Sequence, residues 1–537
     1  MNAPSRYETV VELVEDTFKK YPDRPAYSCM GHSLTFFEVD QLSARFASYL
    51  SHDLGLEPGD RIAIQLPNTL QLPVVMYAAI RAGLVLVMAN PLYTPREIKH
   101  QLCDSEAKAL VVLANVAYNA AEIIEQTSVD HVIVTEIADL HPTPKRLLIN
   151  FIVKNIKKMV PKYRFKNALP LRECFAGIQH LPPKPFKKTR ESLFALQYTG
   201  GTTGVSKGAM LSHGNLASNV WQVYSMTPEA FIEENGIFIA CLPMYHIYAL
   251  QIHALTSFCA GALNVLIPNP RDLNSLVDAI KQIKFTAFVG INTLYVALCR
   301  FPRVKEIDFS HLKVSSAGGM ALTEDASNAW YKLTGIPICE GYGLSETSPV
   351  VTGNTPLSNE LGTIGKPLMD THIMLIDELG EQVAAGEVGE LCVRGPQVMS
   401  GYWRRDEENA EVFLPSGHFK TGDMAVLNGN GTYSLVDRKK DMILVSGFNV
   451  YPNEVEGVLS MHEDVVEAAV VGVHDEKTGE AVIAYVVPEN DDVSVETLKA
   501  YCKKNLTGYK RPKTIEFRES LPKSNVGKIL RRELRAG

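Results

Sequence analysis

Gln197-Tyr198-Thr199-Gly200-Gly201-Thr202-Thr203-Gly204-Val205-Ser206-Lys207-Gly208 follows the strand-like run Leu193-Phe194-Ala195-Leu196. Its four glycines let successive backbone N–H groups turn toward one anion, and four hydroxyls and the Lys207 ammonium add donors. Such a loop suits a polyphosphate; a plain Gly/Thr surface turn is the alternative that composition leaves open. A Walker-type phosphate loop ends Gly-Lys-Ser/Thr, whereas here Ser206 precedes Lys207 and Gly208 follows it, so that pattern fails.

Around the loop, helical spacing over Val10 to Lys20 and Phe37 to Leu54 alternates with β-rich runs such as Arg61 to Leu66 and Ala109 to Leu113. The alternation predicts α/β layers with largely parallel sheets. No period of a repeat architecture recurs. At 537 residues the chain exceeds the size of one hydrophobic core, which predicts at least two domains. A net charge of -7 argues against a nucleic-acid binder that works through overall positive charge. Nine scattered cysteines without a C-x-x-C pair read as reduced thiols of a cytoplasmic protein, and Met1 to Glu8 lacks the apolar core of a signal peptide. Leu72 to Tyr93 is apolar, but Arg81 breaks it and Asn90-Pro91 closes it, so a buried helix running into a buried strand is expected instead of a membrane span.

Further motifs lie downstream in order. They are Leu242-Pro243-Met244-Tyr245-His246, Gly318-Gly319, Glu340-Gly341-Tyr342-Gly343-Leu344-Ser345-Glu346-Thr347, Thr421-Gly422-Asp423, Asp437-Arg438-Lys439-Lys440-Asp441, Ser446-Gly447-Phe448, and Pro522 to Ile529 with Lys528. Together with the glycine-rich loop they resemble the adenylate-forming superfamily of acyl-CoA synthetases, luciferases and peptide-synthetase adenylation domains. The resemblance covers nearly the whole chain and runs closest to bacterial long-chain fatty acid:CoA ligases.

The resemblance implies a large N-terminal domain over 1–436 with layered α/β sheets and a β-barrel-like subdomain, a hinge at 437–441, and a small mobile α+β domain over 442–537. It implies that ATP is held by Thr199, Gly200, Gly201, Thr202, Thr203, Gly204, Ser206 and Lys207, by Glu340, Gly341, Tyr342, Gly343 and Ser345, and by Asp423, Arg438 and Lys528. Tyr342 would pack on adenine, Asp423 would accept from the ribose hydroxyls, and Glu346 with Thr202 would hold Mg2+. Lys528, His246, Glu346 and Thr202 are the catalytic candidates; His246, Gly318 and Gly319 border the acyl pocket. Ser446, Gly447 and Phe448 would meet coenzyme A, with Lys440 as the pivot. Ser345 stands where many members carry Thr, so a hydroxyl is kept.

The implied activity is ATP-dependent conversion of a fatty acid to acyl-AMP and then to acyl-CoA. A carboxylate is a poor electrophile, so AMP serves as the leaving group, and the thiol comes from coenzyme A and not from a protein cysteine. One departure concerns the acid. His418 and Lys420 stand where the long-chain subgroup has Trp and His, which leaves medium-chain and aryl acids as alternatives, beside a non-catalytic fatty-acid carrier of the same fold. From His141 to Asn167 the chain carries eight Lys/Arg and no Asp/Glu, with Leu147, Leu148, Phe151, Ile152 and Ile156 on one helical face. That pattern fits peripheral association with anionic lipid on the inner face of the cytoplasmic membrane; a solvated insertion or a homodimer contact is the other reading.

Overall fold

The glycine-rich loop joins two strands of one sheet. In the computed structural model, which describes residues 7–175, 181–187, 189–199, 206–228, 231, 236–490, 493–524 and 529–535, Leu193–Thr199 pairs antiparallel with Lys207–Ser212 and sets Thr199 opposite Lys207. A Walker loop leads from a strand into a helix, so the backbone rejects that rival independently of the side chains.

Those two strands close one edge of a seven-stranded sheet. Its order is Ala168–Pro170, His131–Thr135, Ala107–Leu113, Arg61–Gln65, Val85–Met88, Leu193–Thr199, Lys207–Ser212, with every pair parallel except the last. A nine-stranded sheet runs Lys366–Pro367, Val350–Gly353, Ile338–Gly343, Val314–Ala317, Ala287–Gly290, Ile237–Ala240, Leu263–Leu266, Pro25–Cys29, His32–Thr35, parallel through its middle. Parallel strands need cover on both faces, and the sequence supplies it. Leu72 to Met88 folds as expected into the wholly buried helix Gln71–Arg81 and the buried strand Val85–Met88. Arg81 ends that helix inside the core because Glu15 (2.9 Å), the Asp40 carbonyl (2.7 Å) and Ser43 Oγ (2.9 Å) accept from its guanidinium. The helix Val10–Lys20 starts at a Thr9/Glu12 capping box and buries Val10, Leu13, Val14 and Phe18.

A four-stranded antiparallel meander, His372–Ile376, Val388–Arg394, Phe419–Leu427 and Tyr433–Arg438, forms the barrel-like part. After Arg438 the turn Lys439–Asp441 carries the chain into a separate sheet built on the long hairpin Val465–Asp475 and Gly479–Pro488. That last unit has its own core of Ile443, Val455, Leu459, Val470, Val486 and Leu498. The α/β reading with a large first domain and a small α+β second one therefore holds.

Candidate active site

One cleft of about 1560 Å3 is lined from both units. Thr199 and Lys207 enter it from the loop-bearing sheet, His246 from the turn after Ile237–Ala240, and Gly318 and Gly319 from the end of Val314–Ala317. Gly341, Tyr342, Gly343, Ser345 and Glu346 come from Ile338–Gly343 and the turn after it. Arg438 and Lys440 line it at the end of the meander, and Lys523, Ser524 and Ile529 line it from the small unit. Residues from the two largely parallel sheets thus meet near the carboxyl ends of their strands, where open α/β sheets place their ligands, and the antiparallel meander adds Arg438.

The chain demands glycine at one point of this wall. A Cβ on Gly343 would lie 2.0 Å from the Pro349 carbonyl oxygen, so only glycine lets Ile338–Gly343 pass the returning strand and aim the following turn at the cleft. Met399 N–H donates to the Glu346 carbonyl (2.8 Å), and the Tyr402 hydroxyl donates to Glu346 Oε1 (2.7 Å). The same Tyr402 ring lies 5.3 Å from the Lys207 ammonium, which is ion-paired with Glu408. Tyr402 and Glu408 escaped the sequence reading. The one available signal was the Gly401-Tyr402-Trp403-Arg404 cluster, which is aromatic and basic beside a glycine.

Asp423 is not itself a lining residue, yet it organises two that are. Tyr342 hydroxyl donates to Asp423 Oδ2 (2.6 Å) and Arg438 Nε lies 2.6 Å from Oδ1. Burial, and then the Asp423 carboxylate, push the Tyr342 phenol well above its ordinary value, so it stays a donor. Glu340 sits behind the wall and accepts from Leu322 N–H (3.3 Å); burial pushes its carboxyl up to about 7. Ser206 is held through its carbonyl, which lies 2.8 Å from His100 Nε2. His246 Nδ1 accepts from Tyr248 N–H (3.3 Å) at the head of the helical segment that walls the cleft. The same cleft also has apolar lining, including Val223, Met226, Phe231, Phe238, Ile252 and Leu294.

Other predicted residues fall elsewhere. Ser446, Gly447 and Phe448 do not line the cleft: they form the exposed tip between Ile443–Val445 and Phe448–Val450, where Phe448 stacks on Tyr509 at 4.8 Å. Gly200, Gly201, Thr202, Thr203, Gly204 and Lys528 lie outside the described residues. His418, the departure from the long-chain pattern, is buried against Ser416 (2.9 Å) and is not a lining residue, whereas Lys420 is.

Residues 14–403 match the AMP-binding enzyme family and residues 454–528 match the AMP-binding enzyme C-terminal domain, so the chain belongs to that family. It is 46% identical over 536 residues to a long-chain-fatty-acid–CoA ligase of Salmonella typhimurium, covering 99% of this chain and 95% of the relative. A ligase of the same description from Bacillus subtilis is 35% identical, again over 99% of this chain and 95% of the relative. Among solved structures, ATP-bound MatB from Rhodopseudomonas palustris superposes with a TM-score of 0.83 at 28% identity, over 98% of each chain.

Proposed function

We propose that this chain is an AMP-forming long-chain fatty acid:coenzyme A ligase. One observation carries it: Lys207, Glu346, Tyr342 and Arg438, the last two joined through Asp423 behind them, and the small unit's Lys523 and Ser524 share one cleft with a set of apolar side chains. Polar groups for a nucleotide and apolar groups for a chain in one cleft are what joining a fatty carboxylate to ATP requires. Near-full-length identity of 46% to a ligase of that description supports the acid as well as the chemistry.

In the first step a carboxylate oxygen bonds to the α-phosphorus of ATP and the bond to pyrophosphate breaks. Negative charge grows on the phosphoryl oxygens in line with the leaving group, and cations fixed beforehand lower that barrier. Lys207 and the glycine-rich loop would hold the β- and γ-phosphates, Tyr342 the adenine, and Asp423 with Arg438 the ribose. Glu346 fits Mg2+: it is a buried carboxylate whose Oε1 is fixed by Tyr402, leaving Oε2 for the ion. Among the described residues no group of three or more metal-ligating side chains exists, which suits an ion that keeps waters and phosphate oxygens as its other ligands. When bound, Mg2+ supplies neutralisation of the triphosphate charge. Lys528 would meet the carboxylate and α-phosphate; Ser524 and Ile529, on either side of it in sequence, both line the cleft.

In the second step the coenzyme A sulfur attacks the acyl carbonyl, AMP leaves, and the thiol proton is released. The tip at Ser446, Gly447 and Phe448 does not line the cleft, so the small unit would turn about Lys440, within 437–441, to bring it there. The acid meets the protein at an anionic membrane surface; a second copy of this chain is the competing partner for the same exposed segment. Pyrophosphate release from ATP, scored across acids of two to eighteen carbons, tests the whole reading. We expect release that depends on added acid, rises toward long chains and vanishes in Lys528→Ala. Release independent of the acid, or unaffected by that substitution, would overturn it.

A further inference from the structure

The helix Thr143–Phe151 and the wider turn Ile152–Ile156 that continues it contain no buried residue. They are nevertheless tied down, and by their polar side. Lys145 Nζ donates to the carbonyls of Met30 (2.5 Å) and Gly31 (3.0 Å). Asn150 accepts from Ala138 N–H (3.0 Å) and donates to Asp139 Oδ1 (3.3 Å), and Lys154 lies 3.7 Å from Glu136. The apolar side is the one left outward: Leu147, Leu148, Phe151, Ile156 and Met159 are 53–63% exposed. An ordinary surface helix has the opposite arrangement, with its apolar stripe on the core. A contiguous exposed apolar patch of this kind marks an interaction surface.

The charge around it identifies the partner. Residues 141–167 hold eight Lys/Arg and no Asp/Glu in a chain whose net charge is -7. A twofold contact between two copies would set like charge against like, because an isologous interface uses the same patch twice. An anionic bilayer offers the complement to both features: headgroup charge for the lysines and acyl chains for the leucine and phenylalanine side chains. The segment connects His131–Thr135 to Ala168–Pro170, at the edge of the seven-stranded sheet farthest from the loop-bearing strands. Leu147, Leu148, Phe151, Ile156 and Met159 are not lining residues of the cleft, while the Lys157 charge reaches Asp272, whose neighbours Arg271 and Leu273 do line it, so the docking face lies beside the cleft without forming its wall.

We propose that residues 143–164 dock this protein on an anionic lipid surface, with Leu147, Leu148, Phe151, Ile156 and Met159 entering the headgroup boundary and the exposed Lys157 and Lys158 held by lipid phosphates. No helix among the described residues is long and apolar enough to cross a membrane. The docking is peripheral, and its use to the enzyme, resting on the fatty-acid reading above, is to keep it where long acids partition.

Flotation of the full chain with vesicles of phosphatidylcholine alone, or mixed equally with phosphatidylglycerol, tests this. Two variants accompany the wild type: Lys157→Glu with Lys158→Glu, and Leu147→Ser with Phe151→Ser. Neither removes a buried side chain. We expect wild type to float with the mixed vesicles only, the charge variant to partition about a hundredfold less or weaker still, and the apolar variant to lose about tenfold per side chain. High salt should release the protein toward the level of the charge variant. Equal recovery of all three proteins with mixed vesicles would overturn the proposal. So would concentration-dependent dimerisation without lipid that the apolar variant abolishes, since the face would then belong to a second copy. Acid-dependent pyrophosphate release with a detergent-dispersed long-chain acid is measured alongside. If it persists while flotation fails, only the docking surface falls; if it is absent from the wild type, the ligase reading falls separately.

Discussion

Tyr402 connects the two charges that a triphosphate would meet, since its hydroxyl orients Glu346 Oε1 at 2.7 Å and its ring lies under Lys207. Because it acts through Glu346 and Lys207, it is a positioning residue. Tyr402→Phe keeps the ring and removes one charge-assisted hydrogen bond, worth about 1.5–3 kcal/mol. We expect kcat/KM for ATP to fall about tenfold to a hundredfold, and the Mg2+ concentration for half-maximal rate to rise, while the KM for the acid stays put. A purely structural role would shift all three together. Glu340 gives a second prediction, in pH. Burial raises its carboxyl from 4.5 to about 7, so the stability it contributes is complete below 4.5 and is lost as pH rises through about 7. A shift of that size corresponds to about 3 kcal/mol. Glu340→Gln can still accept from Leu322 N–H and carries no charge. The melting temperature of the variant relative to wild type should therefore climb between pH 5 and pH 8, and a difference flat in pH would refute the buried-acid account.

Between the units, single elements are held by a buried ionic cluster around Arg531. Its guanidinium donates to Glu456 (2.7 and 3.0 Å), Asp437 (3.3 Å), Asp441 (3.4 Å) and Asn453 (2.5 Å), while Asn453 N–H donates to Asp437 Oδ2 (2.6 Å). Asp437 ends the meander and the other groups belong to the turn and the small unit, so the cluster fixes how the small unit leaves the large one. Arg531→Met leaves the buried Asp437 and the half-buried Glu456 without that cation, and breaking a network of this kind costs up to about 3–5 kcal/mol. Limited proteolysis should cut the variant near 437–441 well before the wild type. Nothing local announces Arg531, which is one basic residue in Leu530-Arg531-Arg532. The same limit explains what the sequence could and could not disclose. Val10–Lys20 and Val85–Met88 were legible because periodicity and capping are local. That Pro25–Cys29 lies beside Leu263–Leu266 was not, because more than two hundred residues separate them. Lys207 drew notice because its loop gathers glycines, hydroxyls and a cation, and Glu346 because its motif resembles the family's; Tyr402 did not, since it acts on Glu346 from 56 positions away.

At the scale of the molecule, the two half-reactions ask for different groups at one carbonyl, and only one of the two candidate faces of the small unit lines the cleft. Lys523, Ser524 and Ile529 line the cleft while Ser446, Gly447 and Phe448 do not, an arrangement suited to forming the adenylate. If the small unit alternates, each face can be disabled alone. Gly447 has φ +83°, and a Cβ there would meet nothing within 4 Å, so a side chain costs local strain of about 1–2 kcal/mol but no clash in this arrangement. Gly447→Leu should therefore leave the first turnover of acid-dependent pyrophosphate release near the wild-type rate. The arm of coenzyme A would then find the approach to the backbone blocked, and acyl-CoA formation should fall about a hundredfold with acyl-AMP accumulating on the enzyme. Lys528→Ala should do the reverse, losing acyl-AMP formation while still converting added acyl-AMP and coenzyme A to thioester. Rapid-quench measurement of both half-reactions in both variants decides the matter. Parallel losses in the two half-reactions would mean that one fixed arrangement serves both steps, and rotation about Lys440 would have no part in catalysis.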